Sequence, residues 1–281
     1  MADQLLICTD LDRTLIPNGP QPESPGARER FHRLAQRPEV VLAYVSGRDH
    51  GLVRKAVSNY HLPIPDFVIG DVGTTIYRVE ANGDWRQQEG WATQIAKDWA
   101  GRSRADIRAM LLDLHALRAQ EGSKQNAFKL SFYVPLQSDR VALTRQIDER
   151  LQQQGIAARQ IWSVDEPAGI GLLDILPATA SKYHAIEALM QQQHFDEFNT
   201  VFCGDSGNDL EVLASPLKAV LVANAQPEVR RQVLQMASEG GHPDRIYIAR
   251  GGYHGMNGFY SAGMLEGIAH YFPAIEAWLD G

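Results

Sequence analysis

Cysteine is almost missing from this chain, with Cys8 and Cys203 alone among 281 residues. Two isolated thiols exclude a disulfide framework and a cysteine-based zinc site. Each stands two residues before an acid, Asp10 or Asp205, inside an apolar run. Both are therefore expected as small buried residues of neighbouring core strands, kept reduced. No apolar run reaches the roughly eighteen residues that a membrane-spanning helix needs. Positive charge is in deficit, with 27 Lys and Arg against 34 Asp and Glu and a net charge of −7. That balance argues against a broad nucleic-acid surface, and any anionic substrate must meet a local cation. A secretory leader is not expected, because Asp3 sits where basic residues belong and Asp10 and Asp12 interrupt the apolar stretch. A cytoplasmic location is the resulting expectation. No internal repeat, low-complexity tract or long linker is present.

What is present is an ordinary globular composition, 44% hydrophobic and 22% charged, on a chain long enough for about two domains. The organising stretch is Leu5-Leu6-Ile7-Cys8-Thr9-Asp10-Leu11-Asp12-Arg13-Thr14. Its apolar part suits a buried parallel strand and is too short for a helix. It ends in two carboxylates and a hydroxyl. Ligands of open α/β sheets bind beyond such strand ends. Crowded acids repel each other unless a cation or a proton separates them. Metal-assisted chemistry with an attacking carboxylate is one reading; an acidic turn after a strand is the other.

Further along, 24–36 reads as a helix, starting at Ser24 and Pro25. Val40–Val45 reads as a second buried strand ending at Ser46-Gly47-Arg48. Strand, helix, strand makes a right-handed parallel unit, which puts Ser46 on the rim that carries Asp10. Residues 49–59 continue as a helix. Phe67–Gly70 is a third strand, followed by a turn and a hairpin-like segment through Tyr77. The regular alternation then stops. Residues 81–173 read as a separate α+β module, with helices at 91–100, 103–119 and 139–153. Strands are expected at 127–134, 157–164 and 170–176. In 127–134, Phe128, Leu130, Phe132 and Val134 take one face; Lys129, Ser131 and Tyr133 take the other. The polar face suits either a ligand or plain solvent. Alternation resumes with Asp174-Ile175-Leu176-Pro177 and a helix from Lys182. A lysine at a helix N-terminus opposes the dipole; it suits a bound anion or snorkels to the surface. A strand at 200–203 leads into Gly204-Asp205-Ser206-Gly207-Asn208-Asp209, a second acidic rim. A helix at 208–214, a strand at 219–222, a helix at 227–237, a strand at 245–248 and a terminal helix at 263–278 complete the chain.

The joint order of Asp10-Leu11-Asp12-Arg13-Thr14, Ser46, Lys182 and Gly204–Asp209 resembles the four motifs of the haloacid dehalogenase (HAD) phosphohydrolase superfamily. The finer likeness is to the sucrose-6-phosphate phosphatase family. It rests on Val72–Tyr77, Lys129–Phe132, Asp174–Pro177, Asn257-Gly258 and Gly263–His270. The resemblance implies an α/β fold: a doubly wound, Rossmann-like parallel-sheet core (1–80 and 174–281) with an inserted C2-type α+β cap at 81–173. It implies a Mg²⁺-dependent phosphatase acting on a sugar phosphate, foremost sucrose 6-phosphate, through an aspartyl-phosphate. By this resemblance Asp10 is the nucleophile and Asp12 the acid and base. Mg²⁺ is held by Asp10, the Asp12 backbone carbonyl and Asp205, with Asp209 behind the metal and holding Lys182. Ser46 and the Gly47 N–H orient the phosphate, Lys182 neutralises it, Asn208 fixes the loop and Thr14 braces the nucleophile loop. Arg48 is left between phosphate, sugar hydroxyl and surface. Asn126, Lys129 and Tyr133 are candidates for the distal sugar. A monomer is expected, with a sucrose-phosphate synthase as a possible partner. Rival readings are phosphatases for mannosylfructose phosphate, glucosylglycerol phosphate or mannosyl-3-phosphoglycerate, a phosphomutase, and a phosphate-responsive regulatory protein.

Overall fold

The structure, a computed structural model, describes residues 4–165 and 168–279. The strands are β1 (Leu5–Thr9), β2 (Val40–Val45), β3 (Phe67–Gly70), β4 (Thr75–Val79), β5 (Trp85–Gln87) and β6 (Arg118–Ala119). They continue with β7 (Leu130–Val134), β8 (Ala158–Asp165), β9 (Ile170–Pro177), β10 (Thr200–Gly204), β11 (Lys218–Leu221) and β12 (Ile246–Ile248). Eight form one sheet in the order β12-β11-β10-β1-β2-β3-β4-β5, and four form another, β6-β7-β9-β8.

In the large sheet β1, β2, β3, β10, β11 and β12 run parallel, and β4 and β5 turn back antiparallel. The parallel strands are predominantly apolar, with polar residues such as Thr9, Thr200 and Lys218 at their ends, because helices cover both faces. Successive strands run outward from β1 to β5. The chain then makes the small sheet and returns on the opposite side of β1, at β10. The strand order therefore reverses between β1 and β10, where open α/β sheets bind ligands. Thr9 pairs with Cys203, so Asp10 and Asp205 leave the sheet close together. Cys8 and Cys203 are buried and free as expected, on opposite faces of the sheet. No described helix is long and apolar enough to cross a membrane.

The inserted module keeps its predicted face assignment. Leu130, Phe132 and Val134 pack with Leu143, Ile147 and Leu151 of the helix Arg140–Gln153 into a third core. Lys129 and Ser131 turn to the other side. By hydrogen bonding, Trp85–Gln87 belongs to the large sheet and Ile170–Pro177 to the small one. The two sheets thus change over after Gln87 and after Pro177, a few residues beyond the expected 81 and 173.

Several elements differ from expectation. The first helix begins at Ala27, not 24, because Gly26 stands at φ +74°, and the Ser24 hydroxyl accepts from the Asn257 amide instead of capping. The helix expected over 103–119 covers only Arg104–Ala109. A Ser103–Asp106 capping box starts it, and Arg150 ends it by donating to the Met110 carbonyl and to Asp113. Leu111 and Leu114 still reach the cap core, from turns, before Arg118–Ala119 pairs with β7. The helix expected over 91–100 is Glu89–Ala96 with a short 3₁₀ turn after it. The terminal helix is divided into Ser261–Tyr271 and Ile275–Leu279. Pro273 lies between them and cannot donate to a continuous ladder.

Gly73 fixes how the turn after β3 meets the helix Lys182–Gln193. It stands at φ +98°, and a Cβ there would lie 2.3 Å from the Ser181 carbonyl. Gly73→Ala is expected to lower the unfolding free energy by about 2 kcal/mol or more, from backbone strain and clash together. Urea unfolding of the variant beside the parent measures this.

Candidate active site

Four strand ends and one helix start build the site. Asp10 and Asp12 follow β1, Ser46 to Arg48 follow β2, Asp71 follows β3, and Gly204 to Asp209 close β10. Lys182 begins the helix whose N-cap, Ser181, accepts a hydrogen bond from the His184 amide. The cap contributes Ser123, Lys124, Lys129 and Val164 to the same cavity, which measures about 500 Å³.

Lys182 is the centre of the charge network. Its Nζ donates to Asp10 Oδ1 at 2.7 Å, to Asp209 Oδ1 at 2.6 Å and to Asn208 Oδ1 at 3.2 Å. Its side chain is only 1% exposed, so snorkelling is excluded. Burial alone would push its pKa down, but the charges of Asp10 and Asp209 outweigh burial and raise it. Asp209 is consumed by this loop: its second oxygen accepts from the Asp205 and Ser206 amides and the Ser206 hydroxyl. It thereby aims Asp205. Thr14 Oγ1 donates to Asp205 Oδ1 at 3.0 Å, so its expected bracing acts on the second acidic loop.

Asp10, Asp205 and Asp209 place carboxylate oxygens within 4.8 Å of one another, all buried. Three carboxylates against one ammonium leave two negative charges if all are ionised, apart from Arg13, whose Nε is 3.6 Å from Asp205. Burial, then the neighbouring acids, push the Asp205 pKa up to about 7; for Asp10 burial does the same against the pull of Lys182. An all-oxygen donor set with uncompensated negative charge fits a hard divalent cation such as Mg²⁺. Because Asp209 is occupied by Lys182 and amides, Asp10 and Asp205 are the side chains with oxygens to offer.

Asp12 stands apart from that cluster. Arg48 holds it bidentately, Nε to Oδ2 at 2.7 Å and Nη2 to Oδ1 at 2.5 Å, and Asn18 Nδ2 adds a bond of 2.7 Å. Burial raises the Asp12 pKa, but the hydrogen bonds and charge of Arg48 outweigh it and lower the value overall. Arg48 therefore takes a position that none of the three sequence readings named. Ser46 is buried and its Oγ accepts from the Arg48 amide at 3.2 Å, with its own proton left to donate. Gly47 lines the cavity beside it.

Of the cap candidates, Lys129 reaches the cavity, with Nζ 3.6 Å from Asp71 Oδ1. Asn126 donates to Thr74 Oγ1 at 2.9 Å and lines an adjoining cleft that shares Asp49, Asp71 and Ser123 with the cavity. Tyr133 lies outside the lining of both: its hydroxyl donates to Glu121 at 2.7 Å and its ring lies under Arg118. Its place on the polar face of β7 is right, but Arg118, its cross-strand partner on β6, covers its ring on that face. The sequence reading passed over Asp71 and Asn18. Asp71 and Val72 stand at φ +51° and +62°, and their amides donate to the Arg48 and Ser46 carbonyls. Positive φ in two successive non-glycine residues, one β-branched, marks a strained turn of the kind found at functional sites. An acid directly after β3, on the rim already carrying Asp10 and Ser46, was the available signal.

The chain matches the family described as sucrose-6F-phosphate phosphohydrolase over residues 3–272. A putative HAD-like hydrolase of Nitrosococcus oceani is 55% identical over 280 residues, covering 100% of this chain and 75% of that protein. Sucrose-phosphatase 1 of Nicotiana tabacum is 30% identical over 81% of this chain and 52% of its own length, so the chain spans about half of that plant relative. The solved structure of the sucrose-phosphatase of Synechocystis sp. PCC6803, in complex with sucrose and phosphate, superposes with a TM-score of 0.73. It is 27% identical and the match covers 95% of this chain and 98% of that one.

The raised pKa of Asp205 sets a sign for stability. Without a divalent cation its contribution is present below the ordinary value of 3.8 and is lost as pH rises through about 7. The metal-free protein is therefore expected to show a falling thermal midpoint from pH 5 to pH 7, with a larger Mg²⁺-induced rise at pH 7. Calorimetric scans with EDTA and with excess Mg²⁺ at both pH values check it.

Proposed function

From the premise that the chain belongs to the sucrose-6F-phosphate phosphohydrolase family, we propose that it hydrolyses a sugar phosphate to free sugar and phosphate, with sucrose 6-phosphate as the foremost substrate. The observation that carries the reading is the division of labour between two carboxylates from one strand end. Asp10 is clamped by a buried ammonium beside two further acids, whereas Asp12 is turned away to a guanidinium.

Lys182 is, among the described residues, the one donor to the Asp10 carboxylate, and leaves its second oxygen to attack phosphorus. The product of that attack is an aspartyl-phosphate, which water then hydrolyses. Ser46, the Gly47 amide and Lys182 hold the phosphoryl oxygens. Asp12 delivers the proton to the departing sugar oxygen and takes one from the incoming water. In the state described it accepts from Arg48 and Asn18 and is set as a base; a substrate that draws Arg48 away leaves it free to carry the proton. Mg²⁺, held by Asp10, Asp205 and the Asp12 backbone carbonyl, would offset the charge that the acids and the phosphate bring together. The cap residues Lys129, Lys124 and Ser123 face the sugar and exclude water from the cavity.

Asp10→Asn is expected to abolish phosphate release, and retained turnover would overturn the nucleophile assignment. Asp12→Asn should cut sucrose 6-phosphate hydrolysis by about 10²-fold or more while sparing p-nitrophenyl phosphate, whose leaving group needs no proton. Equal losses on both esters would remove the acid role. A phosphate-release screen over disaccharide and hexose phosphates, with Mg²⁺ and then EDTA, decides the substrate. Preference for mannosylfructose phosphate, glucosylglycerol phosphate or mannosyl-3-phosphoglycerate would move the substrate within one reaction; hexose monophosphates would remove the disaccharide reading.

A further inference from the structure

Strand β8 crosses the cap's underside, and its alternation sorts its side chains. Gln160 bonds the helix Arg140–Gln153 through Thr144 and Asp148, and Trp162 packs in the cap core. Ile161, on the opposite face, packs against a core-domain cluster. Arg159 shares that face and reaches across to Glu211, Nη1 to Oε2 at 2.7 Å and Nη2 to Oε1 at 3.2 Å. A two-point guanidinium–carboxylate contact fixes direction as well as distance.

Glu211 stands where three working parts meet. It lies two residues beyond Asp209, in the first turn of the short helix Leu210–Leu213 that follows the loop carrying Asp205, and β8 packs on the Gly207–Asp209 turn of that loop. Its Oε1 is also 3.7 Å from His184 Nδ1, two residues after Lys182 on the adjacent helix. The cap is pinned independently on its other flank, where Lys129 faces Asp71 and Asn126 donates to Thr74. Between the flanks, the two cap linkers are tied by Asp98, which accepts from the Thr179 amide and hydroxyl.

We propose that Arg159 and Glu211 are positioning residues that latch the cap onto the helix following the Asp205 loop, so that this ion pair sets how fully the cap closes over the sugar. This rests on the sugar-phosphatase reading above for its catalytic consequence, and on geometry alone for its structural one. Both side chains are partly exposed, at 25% and 39%, so the pair is weak enough to open in each cycle. A contact made in the closed state and lost in the open one shifts that equilibrium by its own free energy.

The test uses the full chain with Val141→Cys on the cap and Ile64→Cys on the core, both sites strongly exposed while the native thiols are buried. Energy transfer between labels at these sites reports the cap-to-core distance. Arg159→Ala is expected to broaden that distance distribution and to raise KM for sucrose 6-phosphate about fivefold, while p-nitrophenyl phosphate turnover stays within about twofold. The double reversal Arg159→Glu with Glu211→Arg should restore the narrow distribution, and Arg159→Lys should restore part of it. An unchanged distribution in Arg159→Ala, or a reversal no better than either single variant at native circular dichroism, overturns the latch. Parent protein that releases no phosphate from any sugar ester overturns the functional reading instead, and the distance measurement then still decides the latch.

Discussion

One buried ammonium organises the core of this molecule. Lys182 Nζ sits between Asp10 and Asp209 and touches Asn208, joining a helix start, the end of β1 and the loop after β10. Removing one member of such a buried pair strands the other's charge, at a cost of about 3–5 kcal/mol. The geometry around it follows from that constraint. Gly73 lets the turn after β3 slide under Ser181, and Asp209 spends its second oxygen on three donors so that the loop cannot swing. The excess of acid over base beside Lys182 would suit a divalent cation.

The second constraint is separation. Asp10 and Asp12 are two residues apart, yet one is enclosed with the acid cluster and the other is held by Arg48 near solvent. The left-handed Arg13, at φ +59°, and the Asn18 amide bonds shape the turn that divides them. Two carboxylates in different environments can be tuned separately, which is what the proposed roles of attacking group and proton carrier require.

Much of this was legible in the residues. Short apolar runs ending in acid or hydroxyl located the parallel strands and their common rim, because a strand buried on both faces tolerates polarity only at its end. The alternation in 127–134 sorted Lys129 from Phe132 correctly, since a two-residue period carries through any sheet. Failures came where tertiary contacts overrode local signal. Leu111 and Leu114 kept a helical spacing that Arg150 and the pairing of Arg118–Ala119 cut short. Tyr133 lay on the correct face but against a neighbouring strand that no local pattern announces. Arg48 was undecidable because its partner, Asp12, is thirty-six positions away in sequence, and distance in the chain hides proximity in the fold.

The reversal of strand order beside β1 also bears on how the protein is made. Strand β1 is translated before the inserted module, but its neighbour β10 and its counter-ion Lys182 come only after it. Until then a nascent chain carries an apolar strand with one open edge, ending in a carboxylate that has no cation. Pairing across so long a stretch is slow and exposes an edge to other chains. The module that guards the mature site is thus also the delay during which β1 is most open to misassociation.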